Sequence, residues 1–206
     1  MLGQSSSLGI KIDGDARAAV SKGDVLIEFT TPDVTVGHVQ LAQELRKPIV
    51  IGTTGLSEAQ QGTLRVAANT IPIVFSPNMS LGVNVLFELA QIAAQRLGSS
   101  YDVEIVEGHH RAKKDAPSGT AKRLAELVAS ARKQPTNAVP VHAIRAGDIV
   151  GDHTVILAGP SERLELTHRA HSRDVFARGA LKAAQFVVSQ KPGLYDMLYV
   201  LKAEQH

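Results

Sequence analysis

Cysteine is absent from the 206-residue sequence, and aromatic residues make up only 4% of it. Without cysteine there can be no disulfide framework, no thiolate zinc site and no cysteine nucleophile. No apolar run approaches the ~20 residues that a membrane-spanning helix needs. The start, MLGQSSSLG, has neither the charged nor the apolar region of a secretory signal. An excess of one charge is missing too: 22 Lys and Arg against 20 Asp and Glu leave a net charge of +2. That is too small to imply a polyanionic partner, so any basic patch must be argued locally. A cytoplasmic protein with no membrane or nucleic-acid partner is the expectation. What remains is ordinary globular composition, 44% hydrophobic and 20% charged, long enough for one sizeable domain or two small ones.

Apolar runs and helical patterns alternate through the first third, which predicts a parallel sheet with crossover helices. VLIEF (Val25 to Phe29), PIVIG (Pro48 to Gly52) and IPIVF (Ile71 to Phe75) read as buried strands. Between them Val36, Val39, Ala42 and Leu45, and then Leu64, Ala67 and Ala68, recur at helical spacing. Ser57 and Gln60 form a capping-box pattern at the start of the second helix. After Asn78-Met-Ser80 a longer helix is predicted, with Leu86, Leu89, Ala90, Ala93 and Leu97 inward and Gly98 as the stop. From Tyr101 the pattern turns mostly to strands: DVEIVE, VPVHAIR, TVILAG and RLELTHRA. One helix from about Thr120 to Arg132 interrupts them, so a mixed or antiparallel sheet covered on one face is expected. A last helix, near Val175 to Val188, is predicted to face Ala180, Leu181, Ala184 and Val187 inward.

The chemistry concentrates in EGHHRAKKDAPSGTA, Glu107 to Ala121. His109 and His110 follow a strand, so in extended backbone their side chains point to opposite sides. Histidine is the side chain best placed to exchange a proton near neutral pH, and the neighbouring Arg111, Lys113 and Lys114 would depress its pKa. Pro117-Ser-Gly-Thr120 stands directly before a helix, where free amides accept carboxylate or phosphate and Gly119 permits close approach. Thr120 adds a hydroxyl. Other readings compete. Basic runs are most often solvated surface, a nucleic-acid face usually brings stacking aromatics that this loop lacks, and adjacent histidines on a strand chelate one metal poorly. His168-Arg-Ala-His171 would need further ligands to bind a metal. Ser118 lacks the setting of a nucleophile and reads as a helix-start serine. Gly52-Thr-Thr-Gly55 ends a buried strand where open α/β sheets bind nucleotides, although a tight turn without ligand accounts for its spacing equally well; Ser76-Pro-Asn-Met79 ends the next strand in the same way, and the two together favour a shared crevice.

EGHHRAKKDAPSGTA resembles the active-site signature of the dihydrodipicolinate reductase family. The resemblance continues through IEFTTPD, IGTTGLS, FSPNMSLGVNV, RAGDIVGDHT and ERLELTHRAHSRDVFARGA, from about Val25 to the end. It implies hydride transfer from NADH or NADPH to a cyclic unsaturated dicarboxylate, after or together with loss of water, on the diaminopimelate route to lysine. It implies His109 as proton donor and acceptor, Lys113 as a second donor, and His110, Gly119 and Thr120 as contacts to a substrate carboxylate. Gly52, Thr53 and Thr54, the segment Ser76, Pro77, Asn78 and Met79, and Phe176 are the implied cofactor contacts; no metal is implied. The implied architecture is α/β: an incomplete Rossmann-like nucleotide-binding domain (residues 1–80 and 173–206) and an α+β substrate and oligomerisation domain with a mixed sheet (81–172). A homotetramer built through about Leu81 to Ser172 is implied as well.

The sequence departs from the family at its beginning. The family opens with a strand, a Gly-rich loop and a helix, then a second strand; here Gly9 and Gly14 form no such fingerprint. The expectation is a fragment of a longer reductase, since every later motif is intact. The alternative is a shortened dicarboxylate-binding or assembly module that has lost hydride transfer. The connection Lys133 to Val141 is also short, which predicts a trimmed loop.

Overall fold

The three apolar runs nearest the N-terminus form short parallel strands, β1 (Leu26–Glu28), β2 (Ile49–Ile51) and β3 (Pro72–Phe75). The computed structural model describes residues 9, 10 and 12–203. It divides them into two compact units, one of residues up to Ser76 with those from Ala180, the other Pro77–Gly179.

In the first unit α1 (Ala16–Lys22), α2 (Pro32–Glu44) and α3 (Glu58–Ala67) precede β1, β2 and β3 respectively. β8 (Gly193–Tyr195) extends the sheet to the order β1-β2-β3-β8, every pairing parallel. All of β2 is buried, as a central parallel strand covered on both faces must be. Val39 and Ala42 of α2 and Leu64 and Ala67 of α3 close over Ile49, Ile51 and Ile73. The expected capping box is present: Ser57 N donates to Gln60 Oε1 at 2.9 Å, and Gln60 N donates to Ser57 Oγ at 3.3 Å. Three elements lie outside the sequence reading. They are α1, β8 and α7 (Met197–Ala203), of seven, three and seven residues, too short for hydrophobic periodicity to declare itself.

The second unit begins with α4 (Leu81–Leu97), which stops at Gly98 where φ reaches +64°. β4 (Asp102–His109), α5 (Gly119–Ala131), β5 (Val141–Arg145), β6 (Gly151–Ala158) and β7 (Arg163–Ala170) follow, and α6 (Asp174–Val187) carries the chain back toward the first unit's residues. The sheet order is β5-β4-β6-β7, with β4 and β5 parallel and the remaining pairs antiparallel, so the expected mixed sheet is found. α4 and α5 supply Val83, Leu86, Phe87, Leu124 and Val128 to a core shared with Val103, Ile105, Val155 and Leu157. The connection between α5 and β5 holds a 3-10 turn, Thr136–Ala138.

Two helix faces differ from expectation. Leu89 is 46% exposed and Leu181 58% exposed, while Val83, Phe87 and Ala94 on α4, and Ala183 on α6, are buried instead. Both helices are apolar around more than half their circumference, so spacing alone does not select the inward stripe. Among the described residues no helix is long and apolar enough to cross a membrane.

Candidate active site

β4 runs further than its apolar stretch and keeps His109 in extended backbone. Alternation then puts Glu107 and His109 on one face, with Ile105, against the helices. Glu107 is fully buried and His109 is 9% exposed, whereas His110, one residue beyond the strand, is half-buried. His109 Nδ1 lies 2.6 Å from Glu107 Oε2. Arg145 on the neighbouring β5 clamps the same carboxylate with both terminal nitrogens, at 2.9 and 2.7 Å. Burial alone would raise the Glu107 pKa, but Arg145, His109 and the Ser118 amide together hold it below the ordinary carboxylate range. For His109, burial is the largest influence and lowers the pKa; Glu107 opposes this, while Lys113 and Arg145 add to it. The expected depression by the loop's cations is therefore only part of the cause.

The start of α5 is built onto the same carboxylate. Ser118 is the N-cap, its Oγ accepting from Ala121 N at 3.2 Å, and its own amide donates to Glu107 Oε1 at 3.1 Å. The amides of Gly119 and Thr120 come next, ahead of the first intrahelical acceptor, and Gly119 is exposed. An anion can reach them there with the helix dipole in its favour. The Thr120 hydroxyl accepts from Asn78 Nδ2 at 3.0 Å, which brings one expected cofactor contact to one expected substrate contact. Lys113 Nζ pairs with Asp115 at 2.9 Å, and this hydrogen bond lowers the Asp115 pKa.

Behind His109 lies a second histidine. His153 of β6 is 3% exposed; its ring meets that of His109 edge to face at 5.2 Å, and its Nε2 lies 3.3 Å from Ser118 Oγ. Burial, reinforced by His109, pushes its pKa down to about 3. His168 of β7 pairs across the strands with His153 and lies 3.4 Å from Ser80 Oγ, the N-cap of α4. Each helix start thus meets one imidazole, buried at α5 and half-buried at α4. Among the described residues no group of three or more His, Asp or Glu is arranged to hold a metal ion.

In the first unit the Gly52–Gly55 turn follows the central strand, where α/β sheets bind ligands. Thr54 and Gly55 are exposed, and Gly55 has φ +82°. Those exposed groups and the turn's backbone suit a nucleotide; the Thr53 hydroxyl does not, being used internally by Thr30 N at 3.0 Å and Thr35 Oγ1 at 2.9 Å. A Cβ on Gly52 would overlap the Phe29 ring, so glycine there leaves room for that ring. Beneath the turn Glu28 is buried with Thr30, Thr35 and, at 2.5 Å, His38 Nδ1. Ser76, whose amide bonds Ile51 O, and Met79 are buried at 2% and 1% exposure, which leaves Pro77 and Asn78 as the accessible part of that segment. Phe176 is half-buried in the first turn of α6.

Sequence reasoning passed over Glu107, Arg145, His153 and Glu28. Glu107 had one usable signal: it sits two residues before His109 on a strand, and so on the same face.

Two family models cover nearly all of the chain: "Dihydrodipicolinate reductase, N-terminus" matches residues 1–79, and "Dihydrodipicolinate reductase, C-terminus" matches residues 82–201. The chain is 49% identical over 214 residues to a 4-hydroxy-tetrahydrodipicolinate reductase of Syntrophus aciditrophicus, covering 96% of this chain and 80% of the relative. To the enzyme of the same name from Aromatoleum aromaticum it is 47% identical, covering 95% and 77%. Among solved structures, a dipicolinate-bound dihydrodipicolinate reductase from Paenisporosarcina superposes with a TM-score of 0.76 at 25% identity, covering 94% of this chain and 80% of that one. The chain belongs to the dihydrodipicolinate reductase family, NAD(P)H-dependent oxidoreductases of diaminopimelate and lysine biosynthesis that act on a cyclic dicarboxylate.

Proposed function

We propose that the chain performs this reduction with His109 as proton donor and acceptor and Lys113 as a second donor. His110, with the amides of Gly119 and Thr120 and the Thr120 hydroxyl, holds a substrate carboxylate. Gly52, Thr53, Thr54, the segment Ser76 to Met79 and Phe176 contact the nicotinamide nucleotide, which when bound supplies the hydride. Residues 1–80 and 173–206 form the nucleotide-binding domain in this reading, and 81–172 the substrate and assembly domain. A cytoplasmic homotetramer completes it.

The observation that carries the proposal is the buried Glu107–His109 pair, 2.6 Å apart, on the strand that leads directly to Lys113 and the open amides of α5. A carboxylate on Nδ1 leaves Nε2 to exchange the proton. Helix amides, the His110 ring as a hydrogen-bonding group and the Lys113 ammonium suit a dicarboxylate. His109→Gln is expected to lower kcat by about 100-fold or more with little change in KM, as loss of a general acid does. The assay is nicotinamide oxidation with freshly generated substrate. Unchanged kcat would remove His109 from the chemistry. Titration with pyridine-2,6-dicarboxylate and with NADH tests the binding roles separately: dicarboxylate binding without nicotinamide binding would favour a binding module.

A further inference from the structure

Of the two groups proposed to exchange protons with the substrate, Glu107 is bonded only to His109, and four donor nitrogens from three residues converge on its carboxylate. Oε2 takes His109 Nδ1 at 2.6 Å and Arg145 Nη1 at 2.9 Å. Oε1 takes Arg145 Nη2 at 2.7 Å and the Ser118 amide at 3.1 Å. A buried carboxylate needs such partners to stay ionised, and here they come from three elements: its own strand, the adjacent strand and the N-cap of α5. Arg145 is itself anchored by the carbonyls of Ile144 and Asp115, at 2.7 and 2.6 Å. Opposite the carboxylate, the space beside His109 Nε2 is kept open by Gly151, where a Cβ would lie 3.2 Å from that nitrogen.

We infer that Glu107 is a positioning residue with two outputs: it fixes the tautomer and ring plane of His109, so that Nε2 handles the proton, and it ties the carboxylate-binding start of α5 to that ring. The inference rests on the proposed role of His109. An ionised carboxylate can only accept, so Nδ1 must carry hydrogen in the neutral ring and Nε2 is the nitrogen that titrates. Orientation of a histidine by a buried carboxylate is the same physical device that catalytic triads use. The charged and titratable groups facing His109 are Glu107 from β4, Arg145 from β5, Lys113 from the loop and His153 from β6. Only Glu107 is anionic among them, so its charge alone favours the imidazolium against burial and the cations. Lys113's own partner, Asp115, stands one step further out.

The test reads the tautomer directly, by 15N-resolved NMR of the histidine rings in the wild-type enzyme, with His109→Gln assigning the resonance. The expected result is a neutral His109 with hydrogen on Nδ1. Hydrogen on Nε2 in the wild type overturns the inference without any variant that must fold. In Glu107→Gln the side-chain amide can donate to Nδ1, so the ring is expected to switch to the Nε2–H form. kcat should fall about 10- to 100-fold, the usual cost of losing a histidine's orienting partner. The limb of the pH profile on which activity falls with rising pH should move to lower pH, because the charge that favours the protonated ring is gone. Glu107→Asp, which keeps the charge, should recover that limb in part. A Glu107→Gln enzyme with wild-type tautomer, kcat and pH profile sinks the inference. Loss of turnover in His109→Gln alongside that result would leave the proton-donor role standing, so the two readings fail separately.

Discussion

At His153 one imidazole has been put where it cannot be charged. It is 3% exposed, it stands against the His109 ring, and burial with help from His109 takes its pKa to about 3. An unfolded chain titrates its histidines near pH 6.5. Between those two values the unfolded state binds a proton that the native state refuses, so stability is present above pH 6.5 and is lost as pH falls toward 3. At about 1.4 kcal/mol per tenfold in proton affinity the loss is on the order of 4–5 kcal/mol, a large share of a typical domain's 5–15 kcal/mol. The depressed pKa values of His109, His168 and Glu107 act in the same direction. Urea unfolding at pH 7, 6, 5 and 4 should therefore show a steep decline in the wild type and a shallower one in His153→Asn. Equal slopes would mean that His153 is not neutral in the native protein. The strand alternation that puts Glu107 and His109 on one face was legible in the sequence. The company that His109 keeps was not, because Arg145 reaches Glu107 across 38 residues through the parallel pairing of β4 with β5. Nothing local in RAGDIVGDHT announces that its arginine is half of a buried clamp.

At the scale of elements, the strands and longer helices were legible where one period dominated: RLELTHRA is β7 residue for residue, and the capping box marks α3. The helices failed at their faces rather than their ends. α6 shows why, because its packing is decided at one position by contact. Gly179 lies inside that helix, and a Cβ there would run into the carbonyl of Met79, within the same unit. Helix propensity alone makes Gly→Ala favourable by about 1 kcal/mol in a helix interior. Overlap with backbone carries the opposite sign, and forcing atoms into packed space typically costs about 1–3 kcal/mol. The steric effect should win, because a carbonyl in the Asn78–Met79–Ser80 turn cannot rotate away as a side-chain tip can. Gly179→Ala is thus expected to lower the free energy of unfolding by urea, whereas a surface control such as Gly62→Ala in α3, where a Cβ would meet nothing within 4 Å, should be neutral or stabilising. A stabilised Gly179→Ala protein would show that α6 can slide off Met79.

For the whole molecule, the outer face of the mixed sheet is the one that α4 and α5 leave uncovered among the described residues. α4 and α5 pack on the face carrying Val103, Ile105, Val155 and Leu157. Alternation and register put Glu104, Val106, His142, Ile144, Thr154, Ile156, Glu165 and Thr167 on the other. That face mixes an apolar centre with paired polar groups: Ile144 is 49% exposed, Val106 and Ile156 are half-buried, Thr154 and Thr167 share a hydrogen bond at 3.0 Å, and His142 meets Glu104 at 2.7 Å. Sheet faces of this kind suit self-complementary contact around a two-fold axis, in which each residue meets its own counterpart or a near neighbour. The proposed homotetramer gives this face its partner. Ile156 is the position to test, since it lies on β6, inside the sheet, with β4 on one side and β7 on the other. Lysine there would bring like charges together across a two-fold axis while its side chain stays in water in the isolated chain, so assembly should fail without loss of the fold. Sedimentation equilibrium is expected to give a tetramer for the wild type and a smaller species for Ile156→Lys, with far-UV circular dichroism unchanged. A wild-type monomer, or an Ile156→Lys tetramer, would move the assembly surface away from this face.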